Sequence, residues 1–232
     1  MGCLLERDNQ MKNITTKNRP GGMIYEKTRD GEMWYDVYSR LVKERVVFLS
    51  GEEGINSDDA TALSATLLYL DHQNKTKPIS IYINSPGGSV SDGLFTIYDT
   101  MQYIKAPIKT VCMGEACSAG AVLLTAGTKG MRLAFENSTI MIHELQVSGM
   151  SGTASEIERE GERVKRLNNK ILQTIAVHSG QSLEKVKSDV KHDFYLTAQE
   201  AIEYGLIDGI VKKSKSLPSL PQKVIGKRKI KS

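Results

Sequence analysis

The chain has 232 residues, of which 40% are hydrophobic, and its formal net charge is +4. A chain of this size and composition can build a substantial core in one large or two small domains. No apolar run is long enough to span a membrane, the first residues lack a secretory signal, and three irregularly spaced cysteines argue against a disulfide framework. We therefore expect a soluble protein in the cytoplasm or the interior of an organelle, with no membrane partner.

Positive charge is concentrated at the C-terminus. Residues 212–232 carry eight Lys and Arg side chains and no acidic one, so the rest of the chain is mildly acidic. We interpret residues 214–232 as a disordered basic tail; the alternative is a tail that touches nucleic acid, which is not expected as the main partner. Residues 1–22 are polar and are interpreted as a mobile extension. The folded domain is therefore predicted to span residues 23–213.

The first elements alternate between helix and strand. Residues 35–51 predict a helix followed by a short apolar strand. Ser57 is a plausible N-cap for the next helix, in which leucines recur at helical spacing. Residues 79–83 alternate as a strand, and Asn-Ser-Pro-Gly-Gly at 84–88 predicts a turn before another helix. The spaced leucines are Leu63, Leu67 and Leu70.

The same pattern then recurs. Residues 106–113 predict a strand, 114–117 a turn, and 118–127 a helix closed by Gly127, with short strands in 131–145. Strand, glycine turn and helix in repetition predict parallel strands joined by crossover helices, and therefore an α/β fold.

A long amphipathic helix is predicted over residues 153–180. Thr153 and Glu156 fit a capping box, and Gly180 fits the C-terminal end. One face of this helix is apolar and the other is densely charged, so the apolar stripe is either core or a subunit contact. Its members are Ile157, Val164, Leu167, Ile171 and Ile175.

Two residues stand out as candidates for chemistry. Ser118, at a predicted strand-to-helix junction, is either a nucleophile or a helix-capping serine. His143 ends an apolar strand and is either a general base or a buried, hydrogen-bonded residue. Cys117 is an alternative nucleophile, although a small buried cysteine is more often inert packing. The turn at 84–88 offers backbone N–H groups to a developing oxyanion.

Metal and nucleotide chemistry are not expected. The four histidines have no metal-ligand spacing, and no phosphate-binding loop occurs. We therefore expect no cofactor, and no ATP hydrolysis by this chain itself.

Several segments together resemble the ClpP family, the peptidases of ATP-dependent Clp proteases. The similarity runs in family order from about Met23 to Val211. It is carried above all by "IYINSPGGSVSDGL", "CMGEACSAGAVLLTAGTKG", "RLAFENSTIMIH" and "LTAQEAIEYGLID".

The resemblance implies a serine endopeptidase with a Ser-His-Asp triad. The nucleophile position falls on Ser118, the base on His143 and the orienting acid on Asp193. The backbone N–H groups of Gly88 and Ala119 would form the oxyanion hole.

The resemblance also implies a fold and an assembly. The fold is a crotonase-like α/β spiral of repeated β-β-α units with a protruding handle helix at about residues 150–180. The family forms two stacked heptameric rings that enclose the active sites. An AAA+ unfoldase of the ClpX, ClpA or ClpC type uses ATP to feed unfolded polypeptides into the rings. It would dock on an apolar cleft that includes Leu68, Tyr69 and Tyr82.

The chain departs from the family pattern at a few positions. Glu115 stands where Gln is usual, Ser80 replaces an aromatic of the docking cleft, and His192 replaces an arginine that pairs across the rings. Glu144 and Leu145 replace Gln-Pro after His143. Two other functions therefore stay open: a catalytically silent subunit of a mixed ring, and an acyl-CoA enzyme of the crotonase fold.

Overall fold

A computed structural model describes residues 22–28, 31–51 and 53–212. The predicted basic tail, residues 214–232, lies outside these ranges, as does all of the predicted N-terminal extension except Gly22.

The described chain opens with an antiparallel hairpin and a short helix. Strands β1 (Met23–Thr28) and β2 (Gly31–Asp36) form the hairpin. Helix α1 (Val37–Lys43) follows directly, because the Asp36 carboxylate accepts hydrogen bonds from two N–H groups of its first turn. Strand β3 (Val46–Ser50) then enters the main sheet, so the predicted helix-then-strand order is confirmed.

The main sheet has seven strands and is mostly parallel. Its strands after β3 are β4 (Ile79–Ser85), β5 (Ile108–Cys117), β6 (Arg132–Ala134), β7 (Thr139–Ile142), β8 (Phe194–Thr197) and β9 (Gly209–Ile210). Strand β3 pairs with β4, β4 with β5, β5 with β6, and β6 with β9, all in parallel. The last part of β5 also pairs with β7, and β7 pairs antiparallel with β8.

Helices connect these strands, as predicted. The helices after α1 are α2 (Ser57–Gln73), α3 (Phe95–Tyr103), α4 (Ala119–Thr125), α5 (Ala154–Ser179), α6 (Leu183–Asp189) and α7 (Ala198–Tyr204). A π-helical segment at Val90–Leu94 runs into α3, and the three predicted leucines of α2 are buried in the core. The mixed α/β architecture predicted from the repeated pattern is confirmed.

The predicted ends of α5 are also confirmed. Thr153 and Glu156 form a reciprocal capping box, in which each side chain bonds the other residue's backbone N–H. Gly180 ends the helix at φ 78°, a left-handed conformation that glycine adopts without steric cost. Among the described helices none has the length and hydrophobicity to cross a bilayer.

Three local predictions were wrong. The N-cap of α2 is Asn56, whose Oδ1 accepts the N–H groups of Asp58 and Asp59, and Ser57 is the first helical residue. Residues 114–117 are not a turn, because they continue β5, and residues 115–117 pair with β7. Helix α4 ends at Thr125, before the predicted Gly127.

Arg132 is a buried cation that links several elements. Its Nη1 donates to the carbonyl of His178 at 2.8 Å, and more weakly to that of Thr125 at 3.4 Å, so it contacts the ends of α5 and α4. Its Nε and Nη2 donate to the Asp208 carboxylate at 2.9 and 2.6 Å. Burial would raise the pKa of Asp208, but the Arg132 bonds outweigh it and hold that pKa below its usual value. The pair is therefore a satisfied buried ion pair.

Candidate active site

Ser118 lies where β5 becomes α4, in an unusual backbone conformation. Its φ is 52° and its ψ is −120°, which a non-glycine residue rarely adopts. Its N–H donates to the Met141 carbonyl at 2.8 Å, and its own carbonyl accepts from Val122 at 3.1 Å. Although Ser118 occupies the N-cap position, its side chain makes no capping hydrogen bond. The hydroxyl is therefore not used as a helix cap, and strain of this kind is typical of functional sites.

The glycine turn after β4 packs directly against Ser118. Gly87 has φ 130°, and a Cβ atom placed on it would lie 2.8 Å from the Ser118 Cβ and 3.3 Å from its Oγ. Ser85 Oγ holds the turn by donating to the Gly87 carbonyl at 3.0 Å. The structure thus brings the predicted turn and the predicted nucleophile together.

Gly88 is held by a short parallel bridge to Ile55. The Ile55 N–H donates to the carbonyl of Gly87, and the Ile55 carbonyl accepts from Ser89, both at 2.8 Å. In this parallel arrangement Ile55 bonds the residues on either side of Gly88, which leaves the N–H of Gly88 directed to the opposite side. A Cβ on Gly88 would lie 2.3 Å from Ile55 backbone atoms, so the close approach requires glycine.

His143 and Asp193 are brought together by the register of β7 and β8. The last pair of these antiparallel strands joins Ile142 and Phe194, so His143 and Asp193 are the next residues in register. The His143 Nδ1 lies 3.7 Å from the Asp193 Oδ1, which is longer than a hydrogen bond. That nitrogen is buried and has no hydrogen-bond partner in the described part of the chain.

Cys117 is not poised as a nucleophile. Burial, followed by the charges of Glu115 and Asp193, raises the pKa of its thiol to about 11. The thiol is therefore protonated near neutral pH, whereas the thiolate is the reactive form. These surroundings favour the interpretation of Cys117 as a packing residue.

The predicted docking residues lie on two elements. Leu68 and Tyr69 are exposed on α2, whereas Tyr82 of β4 is half-buried and stacks on Phe48 with ring centroids 5.4 Å apart. Their role in docking stays a prediction. Within residues 22–28, 31–51 and 53–212, no group of three or more His, Cys, Asp or Glu side chains could hold a metal ion.

Two asparagines near the site were missed in the sequence. Asn84 Oδ1 accepts the N–H of Glu115 at 3.2 Å, and Asn168 Oδ1 accepts the N–H of Leu145 at 2.9 Å. The first begins the glycine turn and could have been suspected from it. The second lies in the middle of α5, where no local pattern distinguishes it from its neighbour Asn169.

Comparison with known proteins identifies the family of this chain. The Clp protease family model matches residues 29–214. The ATP-dependent Clp protease proteolytic subunit of Ligilactobacillus salivarius (strain UCC118) is 47% identical over 194 residues, which cover 84% of this chain and 96% of the relative. The chain therefore belongs to the Clp protease family and has its mixed α/β fold.

Proposed function

We propose that this chain is the proteolytic subunit of a Clp protease, a serine endopeptidase that hydrolyses the peptide bonds of unfolded polypeptides. Family membership supports the reaction class. The observation that carries the assignment of residues is the buried, unpartnered Nδ1 of His143 facing Asp193 at 3.7 Å. A buried polar atom without a hydrogen-bond partner destabilises the folded state. A general base that is protonated during the reaction gives such an atom a function, because its N–H then faces the carboxylate.

Ser118, His143 and Asp193 act as nucleophile, general base and orienting acid. His143 removes the proton of the Ser118 hydroxyl as Oγ attacks the substrate carbonyl, and then protonates the leaving amine. A water molecule, activated by the same imidazole, releases the acyl-enzyme. Asp193 accepts the Nδ1–H and stabilises the imidazolium, so we expect the 3.7 Å separation to shorten in the substrate-bound enzyme, as is common for catalytic pairs.

The oxyanion is stabilised by the backbone N–H groups of Gly88 and Ala119. Ala119 is the first residue of α4, whose N–H has no partner within the helix, and the helix dipole adds positive potential there. The contact between Gly87 and Ser118 keeps the glycine turn beside the nucleophile. Donors fixed in advance are typically worth about 10²- to 10³-fold in rate each.

Membership of the Clp protease family implies an oligomer that works with Clp ATPases. The finer proposal is two stacked heptameric rings joined by α5, with an AAA+ unfoldase docked on a cleft that includes Leu68, Tyr69 and Tyr82. ATP is used by that partner and not by this chain. A cytoplasmic location fits this role.

The test is cleavage of a short fluorogenic peptide by the assembled wild-type protein and by Ser118→Ala. We expect the variant to lose activity by on the order of 10⁵-fold, because the triad acts as a unit. Ser188→Ala, which changes an exposed serine of α6, is the matched control and should cleave at the wild-type rate. Equal rates for wild type and Ser118→Ala would refute the mechanism.

The two alternative functions are not favoured by these findings. A fluorophosphonate probe separates them from the peptidase, because it reacts only with an activated serine. Labelling of wild type but not of Ser118→Ala is expected. An assembled ring without labelling would support the silent subunit, and retention on immobilised CoA without peptidase activity would support the acyl-CoA enzyme.

A further inference from the structure

Glu115 is an exposed carboxylate held rigidly three residues before Ser118. Its N–H donates to Asn84 Oδ1, and the preceding Gly114 has φ 87° with the same Oδ1 2.7 Å from where a Cβ would stand. On its other side, Glu115 pairs with Thr139 of β7. The backbone that carries this charge is therefore fixed on both sides.

The side chain of Glu115 lies on the same face of the sheet as the His143–Asp193 pair. Residues two apart in a strand share a face. Residues that pair across β5, β7 and β8 form rows on this face. Glu115 lies in the first row, Cys117 in the second, and His143, opposite Asp193, in the third. The Glu115 Oε2 is 3.9 Å from the Cys117 Sγ, so its carboxylate leans along this face towards the third row.

This face carries negative charge that no ion pair with a Lys or Arg of the described residues neutralises. In the described ranges Glu115 forms no ion pair, and Asp193, which is 47% exposed, approaches only His143. Burial first, and then the charges of Glu115 and Asp193, raise the pKa of Cys117, because both carboxylates lie near its thiol. A cationic group entering here would meet two acidic side chains with which no Lys or Arg of the described residues forms an ion pair.

We infer that Glu115 is a specificity-determining residue that favours substrates with a Lys or Arg side chain two or three residues from the scissile bond. This inference rests on the proposed peptidase function. Glu115 precedes Ser118 by three residues at the end of β5. A strand rises about 3.3 Å per residue, so Glu115 stands about 10 Å from the nucleophile, a distance that two or three residues of an extended peptide and the bound Lys or Arg side chain span. An unpaired carboxylate at that range attracts a cation without touching the reacting atoms.

The experiment compares matched peptides with wild type, Glu115→Gln and Glu136→Gln. The peptides differ by Lys or Gln at each of the four positions on either side of one scissile bond. Glu136 is also exposed and unpartnered among the described residues, but it precedes β7 at the end of the strand far from His143, so it controls for loss of one charge. Sizing of each variant controls for assembly.

At one or two positions, wild type and Glu136→Gln should prefer Lys over Gln in kcat/KM by about three- to tenfold at low salt. Glu115→Gln should lose that preference, and about 0.5 M NaCl should reduce it in wild type. An unchanged Lys-to-Gln ratio in Glu115→Gln would overturn the inference while leaving the peptidase intact. Absence of Ser118-dependent cleavage in wild type would overturn the proposed function and this inference with it.

Discussion

The two halves of α5 follow one apolar spacing but have opposite surroundings. In the C-terminal half Ile171 and Ile175 are buried in the core, at 6% and 1% exposure. In the N-terminal half Ile157 is 43% exposed, and neighbouring charges pair with one another on the surface. Helical periodicity therefore predicts which face is apolar but not what covers it. The uncovered half is the part available to another subunit, in line with the proposed handle.

The largest expected difference between the halves is the effect of shortening an isoleucine. Ile175→Ala should lower the free energy of unfolding by about 2 to 5 kcal/mol, because it leaves a cavity in packed core. Ile157→Ala should change the stability of the subunit by less than about 0.5 kcal/mol. Chemical denaturation of both variants measures this, and equal losses would show that the halves are equally packed.

Asn168 lies where the two halves of α5 meet, and its side chain binds the segment after His143. Asn168→Leu leaves the Leu145 N–H without its acceptor and should cost about 1 kcal/mol. Since that segment continues from the proposed base, kcat should fall more than KM rises. Asn169→Leu, an exposed neighbour, is the matched control. Identical kinetics for the two variants would contradict a positioning role.

A smaller effect is expected from pH at the C-terminal end of α5. Burial, and then the nearby Arg132 charge, lower the pKa of His178, whose Nε2 lies 3.1 Å from the Tyr98 hydroxyl. The unfolded chain then binds more protons than the folded protein, so this contribution to stability is complete above about pH 6.5 and is lost as the pH falls below it.

Melting temperatures between pH 5.5 and 7.5 test this. The wild-type value should drop at the acid end, and His178→Gln should flatten the profile. His72→Gln, which changes an exposed histidine of α2, should keep the wild-type slope. A slope that is unaffected by His178→Gln would refute the assignment.

The smallest effect is expected in the exposed half. Arg163 and Glu160 form a surface pair at 2.7 Å, and both side chains are more than a third exposed. Arg163→Gln should change the free energy of unfolding by no more than about 0.5 kcal/mol, since exposed pairs are screened by solvent and salt. Denaturation at low and high salt measures this, and a loss comparable with that of Ile175→Ala would contradict the contrast between the halves.

Local patterns predicted local structure well. The capping box at Thr153, the glycine at the end of α5 and the buried leucines of α2 depend only on residues within a few positions, and all are present. One error arises where two neighbours compete for one role. Asn56 and Ser57 are both good N-caps, and only the backbone decides between them.

The site was less predictable because its parts meet through the sheet. The sequence alone left Ser118 and His143 with ordinary alternatives, and Asp193 was named only through the family resemblance. Its position opposite His143 follows from the pairing of β7 with β8, which no local pattern contains. The close approach of Gly87 to Ser118 likewise joins residues that are far apart in the sequence.

Arg132 constrains which segments of the molecule can unfold separately. Its guanidinium joins the last carbonyls of α4 and α5 to the Asp208 carboxylate, which also accepts the N–H of Gly130. None of these segments can separate without exposing a buried charge. They should therefore unfold together as one cooperative unit, and their amide hydrogens should exchange with solvent at a common slow rate, while the first turns of α5 exchange independently and sooner.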